Sequence, residues 1–235
     1  MNRSDQLKKI AGEKAAEGIR DGMTIGLGTG STVYFTIMRV GELVKDGLRV
    51  RAIPTSRQTE KLALENGIEL CTFADVERLD LTIDGADEIN PQLDLIKGGG
   101  GALLWEKLVA ASSDWLIVVA DESKCVETLG KFPLPVEIVP FAWQTTARRI
   151  EKLNIELSMR MSGEQPFVTD NGNYILDCCC GSIDNPAELH NNLKVLTGVV
   201  ETGLFIGMAK TAVIAGEDGV HGVSFREWKK PSDTL

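Results

Sequence analysis

Residues 82–90, "TIDGADEIN", hold three carboxylates, Asp84, Asp87 and Glu88, and no basic side chain. Like charges this close repel, and the Gly85-Ala86 spacer keeps the first two near each other. Crowded acids of this kind have three uses. They can be hard oxygen ligands for a divalent cation, a proton relay whose neighbouring charges set each pKa, or simply a solvated loop.

Three further stretches carry chemical potential. In "GLGTGST" (26–32) a glycine-rich turn stands between an apolar run and a helical pattern, where backbone N–H groups collect around an anion. The dinucleotide fingerprint requires Gly at position 31, where the chain has Ser31, and no Gly-Lys-Ser/Thr follows to make a phosphate loop. The hydroxyls of Thr29, Ser31 and Thr32 remain, suited to a monophosphate or a sugar; a tight turn with a Ser/Thr cap is the competing reading. In "KGGGGALLWEK" (97–107) Lys97 precedes four glycines that let the backbone approach a ligand, and a cation there can hold negative charge developing on oxygen. On a helical wheel Glu106 falls between Ala102 and Ala110, on a helix expected to be mostly buried. Desolvation would raise its pKa towards that of a general base. The alternative is a Glu that reaches solvent or pairs with Lys107 or Arg78. Lys124 in "ADESK" ends another apolar run, either at a ligand site or as an ordinary loop lysine.

These stretches need elements to position them. Short apolar runs at 23–28, 48–53, 68–73, 79–84, 93–97 and 115–121 alternate with helical patterns, the first over 4–20 with Ser4 as N-cap and another starting at Thr55 or Ser56. The run "WLIVVAD" is apolar throughout, as a strand covered on both faces should be. The expected fold is α/β: a Rossmann-like, mostly parallel sheet with helices on both faces, plus a smaller α+β domain. The hydroxyl loop, the acidic loop, Lys97 and Lys124 then all end parallel strands and line one crevice. Prolines 133, 135 and 140 mark a boundary or stiff connector. Beyond it come a helix at 142–153, a strand at 154–161, a hairpin at Asn171-Gly172, a helix at 186–196, and the strand "GVVETGLF". "KTAVIAG" (210–216) returns to the first sheet. The expected domains are 1–132 with 205–235, and 133–204.

The net charge of -9 argues against a phosphate-backbone binder but not against a small anionic substrate. No apolar run approaches bilayer-spanning length. The charged N-terminal stretch lacks a signal-peptide core, and five cysteines, three of them consecutive at 178–180, make neither a disulfide framework nor a zinc motif. A reduced, cytoplasmic setting is expected, with no membrane and no nucleic-acid partner. Cys178 and Cys180 should point opposite to Cys179, as small buried filler. With His190 and His221 far from the acids, a His-based triad or multi-His metal site is not expected. A seat for phosphate, paired acids, a partly buried Glu and two lysines suit proton transfer on a sugar phosphate.

These residues resemble type A ribose-5-phosphate isomerase. The shared stretches are "GLGTGST", "DGADEIN", "KGGGGALLWEK", "ADESK", "KFPLPVEIVPFA", "VTDNGNYILD", "GLF" and "DGV", in the family's order along nearly the whole chain. The resemblance implies an aldose–ketose isomerase of the non-oxidative pentose phosphate pathway. It would interconvert D-ribose 5-phosphate and D-ribulose 5-phosphate through an enediolate, with no metal or other cofactor. Thr29, Gly30, Ser31 and Thr32 would line the substrate site. Asp84, Gly85, Ala86 and Asp87 would attend ring opening and hydroxyl protons. Lys97 with Gly98, Gly99 and Gly100 would border the reacting carbons, Glu106 would move the proton between C2 and C1, and Lys124 would contact substrate. A homodimer or higher homo-oligomer is implied. Trp105 stands where the family pattern has Arg, and His221 where it has Lys. Two other readings start from the same residues: a non-catalytic sugar-phosphate sensor, and a magnesium phosphatase using Asp84, Asp87 and Glu88.

Overall fold

The computed structural model describes residues 2–216 and 219–224. Its helices are α1 (Arg3–Ala16), α2 (Val33–Lys45), α3 (Arg57–Glu65), α4 (Leu103–Ala111), α5 (Trp143–Glu151) and α6 (Pro186–Lys194). The strands up to the middle of the chain are β1 (Thr24–Leu27), β2 (Arg51–Pro54), β3 (Glu69–Leu70), β4 (Leu81–Gly85), β5 (Glu88–Ile89), β6 (Leu95–Ile96), β7 (Leu116–Asp121) and β8 (Leu134–Ile138). They are followed by β9 (Glu156–Met159), β10 (Met161–Ser162), β11 (Gln165–Pro166), β12 (Tyr174–Cys179), β13 (Val199–Thr202), β14 (Leu204–Phe205), β15 (Thr211–Gly216) and β16 (Gly219–Ser224).

A seven-stranded sheet runs in the order β16-β15-β7-β4-β1-β2-β3, parallel except for the antiparallel edge strand β16. Strand β7, internal in this sheet, is buried at every position because side chains of alternating direction enter two different cores. Ile117 and Val119 pack with Ala11, Ala15, Val33 and Ile37 of α1 and α2. Leu116, Val118 and Ala120 pack with Ala110 of α4 and with Leu95 and Phe205. Helix α2 buries positions 33, 36, 37, 40 and 41, the i, i+3, i+4, i+7 stripe of a helix lying on a sheet. The α/β arrangement with helices on both faces is therefore observed.

A second sheet, β13-β8-β12-β9, is antiparallel and is covered by α5 and α6 through Ala147, Ile150 and Leu193. A third, β14-β6-β5, is also antiparallel.

Several local expectations change. The first helix is capped by Asn2, whose Oδ1 accepts from the Asp5 amide at 2.8 Å, not by Ser4, and it stops at Ala16. Ser56 does cap α3, accepting from Thr59 N. The run at 68–73 pairs only through Glu69–Leu70. The proline-rich stretch is not merely a connector: Pro135 lies in β8, an internal strand, where β13 pairs only as far as Val136. "GVVETGLF" is not one strand but two, β13 and β14, which serve different sheets. They part at Gly203, where a Cβ would come within 2.3 Å of the Lys97 carbonyl oxygen. Asn171-Gly172 does form a tight turn, with Gly172 N donating to Thr169 O at 2.8 Å. Its first arm, 167–170, is not a strand, and from either side of the turn Thr169 and Asn173 donate their side chains to a buried carboxylate, Glu137. Strand β12 pairs instead with β8 and β9. Of the three cysteines, Cys178 is buried and Cys179 exposed, so only the first is a full core filler. His221 lies in β16 opposite Ile214, while Asp218 and 225–235 fall outside the described residues.

Candidate active site

Asp84 is the last inward-facing residue of β4, fully buried, and so belongs to a strand and not to a loop. Its Oδ1 accepts from the amides of Gly85 (2.7 Å) and Thr29 (3.1 Å), which ties the acid to the hydroxyl-rich turn after β1. Only Gly fits at position 28, since a Cβ there would stand 2.1 Å from Asp84 Oδ1. The other oxygen, Oδ2, lies 3.1 Å from Lys97 Nζ.

Lys97 follows β6. Because β6 is antiparallel and belongs to the small third sheet, the expectation that all four stretches end parallel strands fails for Lys97. A two-residue strand has too little periodicity to reveal its partner. Lys97 reaches the crevice nonetheless. Its Nζ donates to Gly85 O at 2.6 Å and lies 3.3 Å from Glu106 Oε1. Both side chains are nearly inaccessible, 2% and 6% exposed. Burial pulls the Lys97 pKa down, but the charges of Asp84 and Glu106 outweigh it and raise it. Burial raises Asp84 against the opposing pull of Lys97.

Glu106, on the buried side of α4, thus pairs with Lys97 and not with its sequence neighbours. Arg78 pairs with Asp114 and Lys107 with Glu201. Leu108, expected to be covered, is 54% exposed, so α4 buries one side only. Desolvation lifts the Glu106 pKa from its ordinary value to about 8, with Lys97 opposing and Asp84 and Asp87 adding to the rise. Glu106 Oε2 is buried and makes no hydrogen bond among the described residues. Such an orphaned acceptor costs free energy, and it is the atom a general base would need free.

These groups open onto one pocket of about 160 Å³. Its walls include Thr29, Gly30, Ser31 and Thr32, then Gly85, Ala86 and Asp87, then Lys97, Gly98, Gly99, Gly100 and Glu106, and finally Lys124 from the 3₁₀ turn after β7. Asp84 sits behind this wall, reaching it through Lys97. Asp87 Oδ2 accepts from Gly99 N at 2.7 Å, pinning the glycine loop. The Thr29 hydroxyl turns away into a cluster with Thr55, Ser56 and Thr59, leaving Ser31, Thr32 and the backbone to face the pocket.

Lys8 of α1 also lines the pocket and was not anticipated from the sequence. It is one of several charged residues on a polar helix, and nothing in its spacing distinguishes it. Glu88 is buried and accepts from the amides of Gly130 (2.7 Å) and Phe132 (2.6 Å), not from a basic side chain. It therefore points away from Asp84 and Asp87, and the three acids do not form the shared ligand set a magnesium phosphatase needs. Among the described residues no group of three or more His, Cys, Asp or Glu side chains is arranged to hold a metal ion. A larger, mostly apolar pocket of about 440 Å³ lies beside α4 and includes Trp105, Leu108 and Cys71; it carries none of the acids or lysines described above.

Known proteins match this chain along most of its length. The family model for ribose 5-phosphate isomerase A (phosphoriboisomerase A) matches residues 51–219. A ribose-5-phosphate isomerase A of Bacillus mycoides (strain KBAB4) is 57% identical over 215 residues, covering 91% of this chain and 97% of the relative. Among solved structures, ribose 5-phosphate isomerase from Plasmodium falciparum superposes with a TM-score of 0.91 at 41% identity, over 95% of this chain and 100% of that one. A D-ribose-5-phosphate isomerase in complex with phospho-erythronic acid superposes with a TM-score of 0.92 at 38% identity, again over 95% and 100%.

Proposed function

Because the chain belongs to the ribose 5-phosphate isomerase A family and interconverts D-ribose 5-phosphate and D-ribulose 5-phosphate, we propose that Glu106 is the base that carries the proton between C2 and C1. One observation carries this reading. Glu106 lines the pocket with one oxygen against Lys97 at 3.3 Å and the other without a hydrogen-bond partner among the described residues.

The steps follow from the charges. The Glu106 carboxylate takes the C2 proton of the open-chain aldose. Negative charge moves to the carbonyl oxygen, where the Lys97 ammonium, held protonated by two acids, neutralises it. The resulting enediolate is planar, so the same carboxyl group returns the proton to C1 while the O2 hydroxyl proton passes to O1, which leaves the carbonyl at C2 and completes the ketose. A pKa of about 8 makes Glu106 a far stronger base than a solvated carboxylate. Asp87 at the pocket wall, with Asp84 behind it, attends the hydroxyl protons and ring opening. Hydroxyls of Ser31 and Thr32, amides at the start of α2, and the cations Lys8 and Lys124 provide the seat for the sugar phosphate. The phospho-erythronic acid bound by the relative supports this seat, since it joins a phosphate to a hydroxylated acid whose planar carboxylate resembles an enediolate end.

The test is turnover of ribose 5-phosphate by the purified protein with chelator present, beside Glu106→Gln. The wild type should turn over at the same rate with chelator as with magnesium. The variant should lose roughly 10²–10⁴-fold in kcat with KM little changed. Full activity in Glu106→Gln would remove the base assignment, and binding without turnover in the wild type would favour a sensor. The proposal includes a cytoplasmic setting, a second domain over 133–204, and assembly into a homodimer or higher homo-oligomer, which light scattering on the purified chain would test.

A further inference from the structure

Helix α4 is nine residues long and has no side-chain N-cap, with Ala102 at that position. So short a helix does not hold its own orientation in water; its neighbours must do so. The residue after Glu106 makes the most extensive of these attachments. Lys107 Nζ donates to Glu201 Oε1 at 2.8 Å, Thr202 O at 2.6 Å and Leu204 O at 2.8 Å, so each of its three protons has an acceptor.

The strand segment it grips also carries Lys97. Between the two carbonyls bound by Lys107 lies that of Gly203, which accepts from the Lys97 amide at 2.9 Å. Leu204 pairs with Ile96 and Phe205 with Leu95, setting the register of the strand that ends at Lys97. The Phe205 ring neighbours both ammonium groups, its centroid 4.8 Å from Lys107 Nζ and 5.4 Å from Lys97 Nζ.

We propose that Lys107 is a positioning residue for the isomerisation: it fastens the helix bearing Glu106 to the strand segment that sets Lys97, so base and cation share one support. This rests on the reading of Glu106 as the base and Lys97 as its electrostatic partner. Lys107 lies outside the substrate pocket and touches no group assigned to the sugar or phosphate. Its loss therefore alters the Glu106–Lys97 geometry and leaves the phosphate seat intact. Displacements near 1 Å in such a pair cost up to about 10²-fold in rate.

The experiment compares Lys107→Met and Lys107→Gln with wild type, in kcat, KM, the pH profile of kcat/KM and melting temperature. The glutamine variant keeps a polar group in the buried site should methionine prevent folding. The expected result is a fall in kcat of roughly 10–100-fold with KM within about 3-fold. The acid limb of kcat/KM should also move to higher pH, because a Glu106 displaced from Lys97 loses the charge that holds its proton affinity down. A merely structural lysine would lower the melting temperature and leave that limb in place. Wild-type kcat in either folded variant, or an unmoved acid limb, overturns the proposal. Glu106→Gln measured alongside separates the two readings. If it is inactive while folded Lys107 variants are fully active, only the positioning role falls; if it is fully active, the base assignment falls and takes the positioning role with it.

Discussion

Two buried ion clusters share the ring of Phe205 as a neighbour, and they are finished differently. Around Lys97, Asp84 Oδ2 meets the ammonium at 3.1 Å, while Glu106 Oε2 has no hydrogen-bond partner among the described residues. Around Lys107, Glu201 accepts from Lys107 and its neighbouring Thr202 amide on one oxygen and from Lys194 on the other. Both clusters bring lysine and carboxylate together away from water. The second is saturated, and a saturated polar network holds a geometry. The first keeps one acceptor, Glu106 Oε2, in reserve beside a pocket, which is costly in stability and useful for moving a proton. Charge balance also differs. Lys97 faces two acids and its pKa rises. For Lys107, desolvation outweighs the single acid Glu201, Lys194 adds repulsion, and its pKa falls to about 8.

The sharpest way to break this contrast is Lys97→Met. It should lower kcat by roughly 10²–10³-fold through the lost stabilisation of the oxyanion. It should also cost about 3–5 kcal/mol of stability at alkaline pH, because two buried acids lose their counter-charge. Urea denaturation at pH 8.5 or so checks the second part. An unchanged midpoint would mean that the acids were never balanced by Lys97.

Next in size is a pair of opposite pH signatures. Glu106 binds its proton more tightly folded than unfolded, so its contribution to stability is greatest below its ordinary 4.5 and is lost as pH rises through about 8. Lys107 holds its proton less tightly when folded. Its penalty is present below about 8 and is relieved as pH rises towards its ordinary 10.5, so stability from this group increases over that window. Each term is on the order of a few kcal/mol. Difference curves of unfolding free energy against pH, wild type minus Glu106→Gln and wild type minus Lys107→Met, should slope downward from 4.5 to 8 and upward from 8 to 10.5. Slopes of the same sign would erase the distinction.

The smallest effect belongs to Glu201→Gln. Lys107 keeps its two carbonyl acceptors, so the variant should lose about 1–3 kcal/mol and keep kcat within about 3-fold. A large loss of kcat would show that the ion pair, and not the carbonyl contacts, holds α4.

Much of this was legible beforehand. Strand β7 announced itself because both of its faces are covered, which leaves no polar position in the run. Asp84, Asp87, Lys97, Lys124 and Glu106 were picked out by standing at the ends of apolar runs or on a helix with a buried side. What was missed involved partners distant in sequence. The strand before Lys97 is too short to show that it pairs antiparallel with residues more than a hundred positions later. The split of "GVVETGLF" at Gly203 depends on the close approach of Lys97 and Pro135, which no local pattern records. Glu88 reads as a structural acid beside Asp84 and Asp87, and it is one, but the partners that satisfy it are the amides of Gly130 and Phe132, distant in sequence, and not a nearby base.

By itself the sequence determined which groups are available: an alternating α/β chain, a hydroxyl-rich turn, acids and lysines at strand ends, and glycines where nothing larger would fit. Those are consequences of residue type and short-range spacing. Tertiary structure decided which acid meets which lysine, and which oxygens are left without a proton donor. That outcome depends on segments such as 95–97, 103–111 and 199–205 arriving within a few ångströms of one another, and only there does desolvation separate a reactive carboxylate from a structural one.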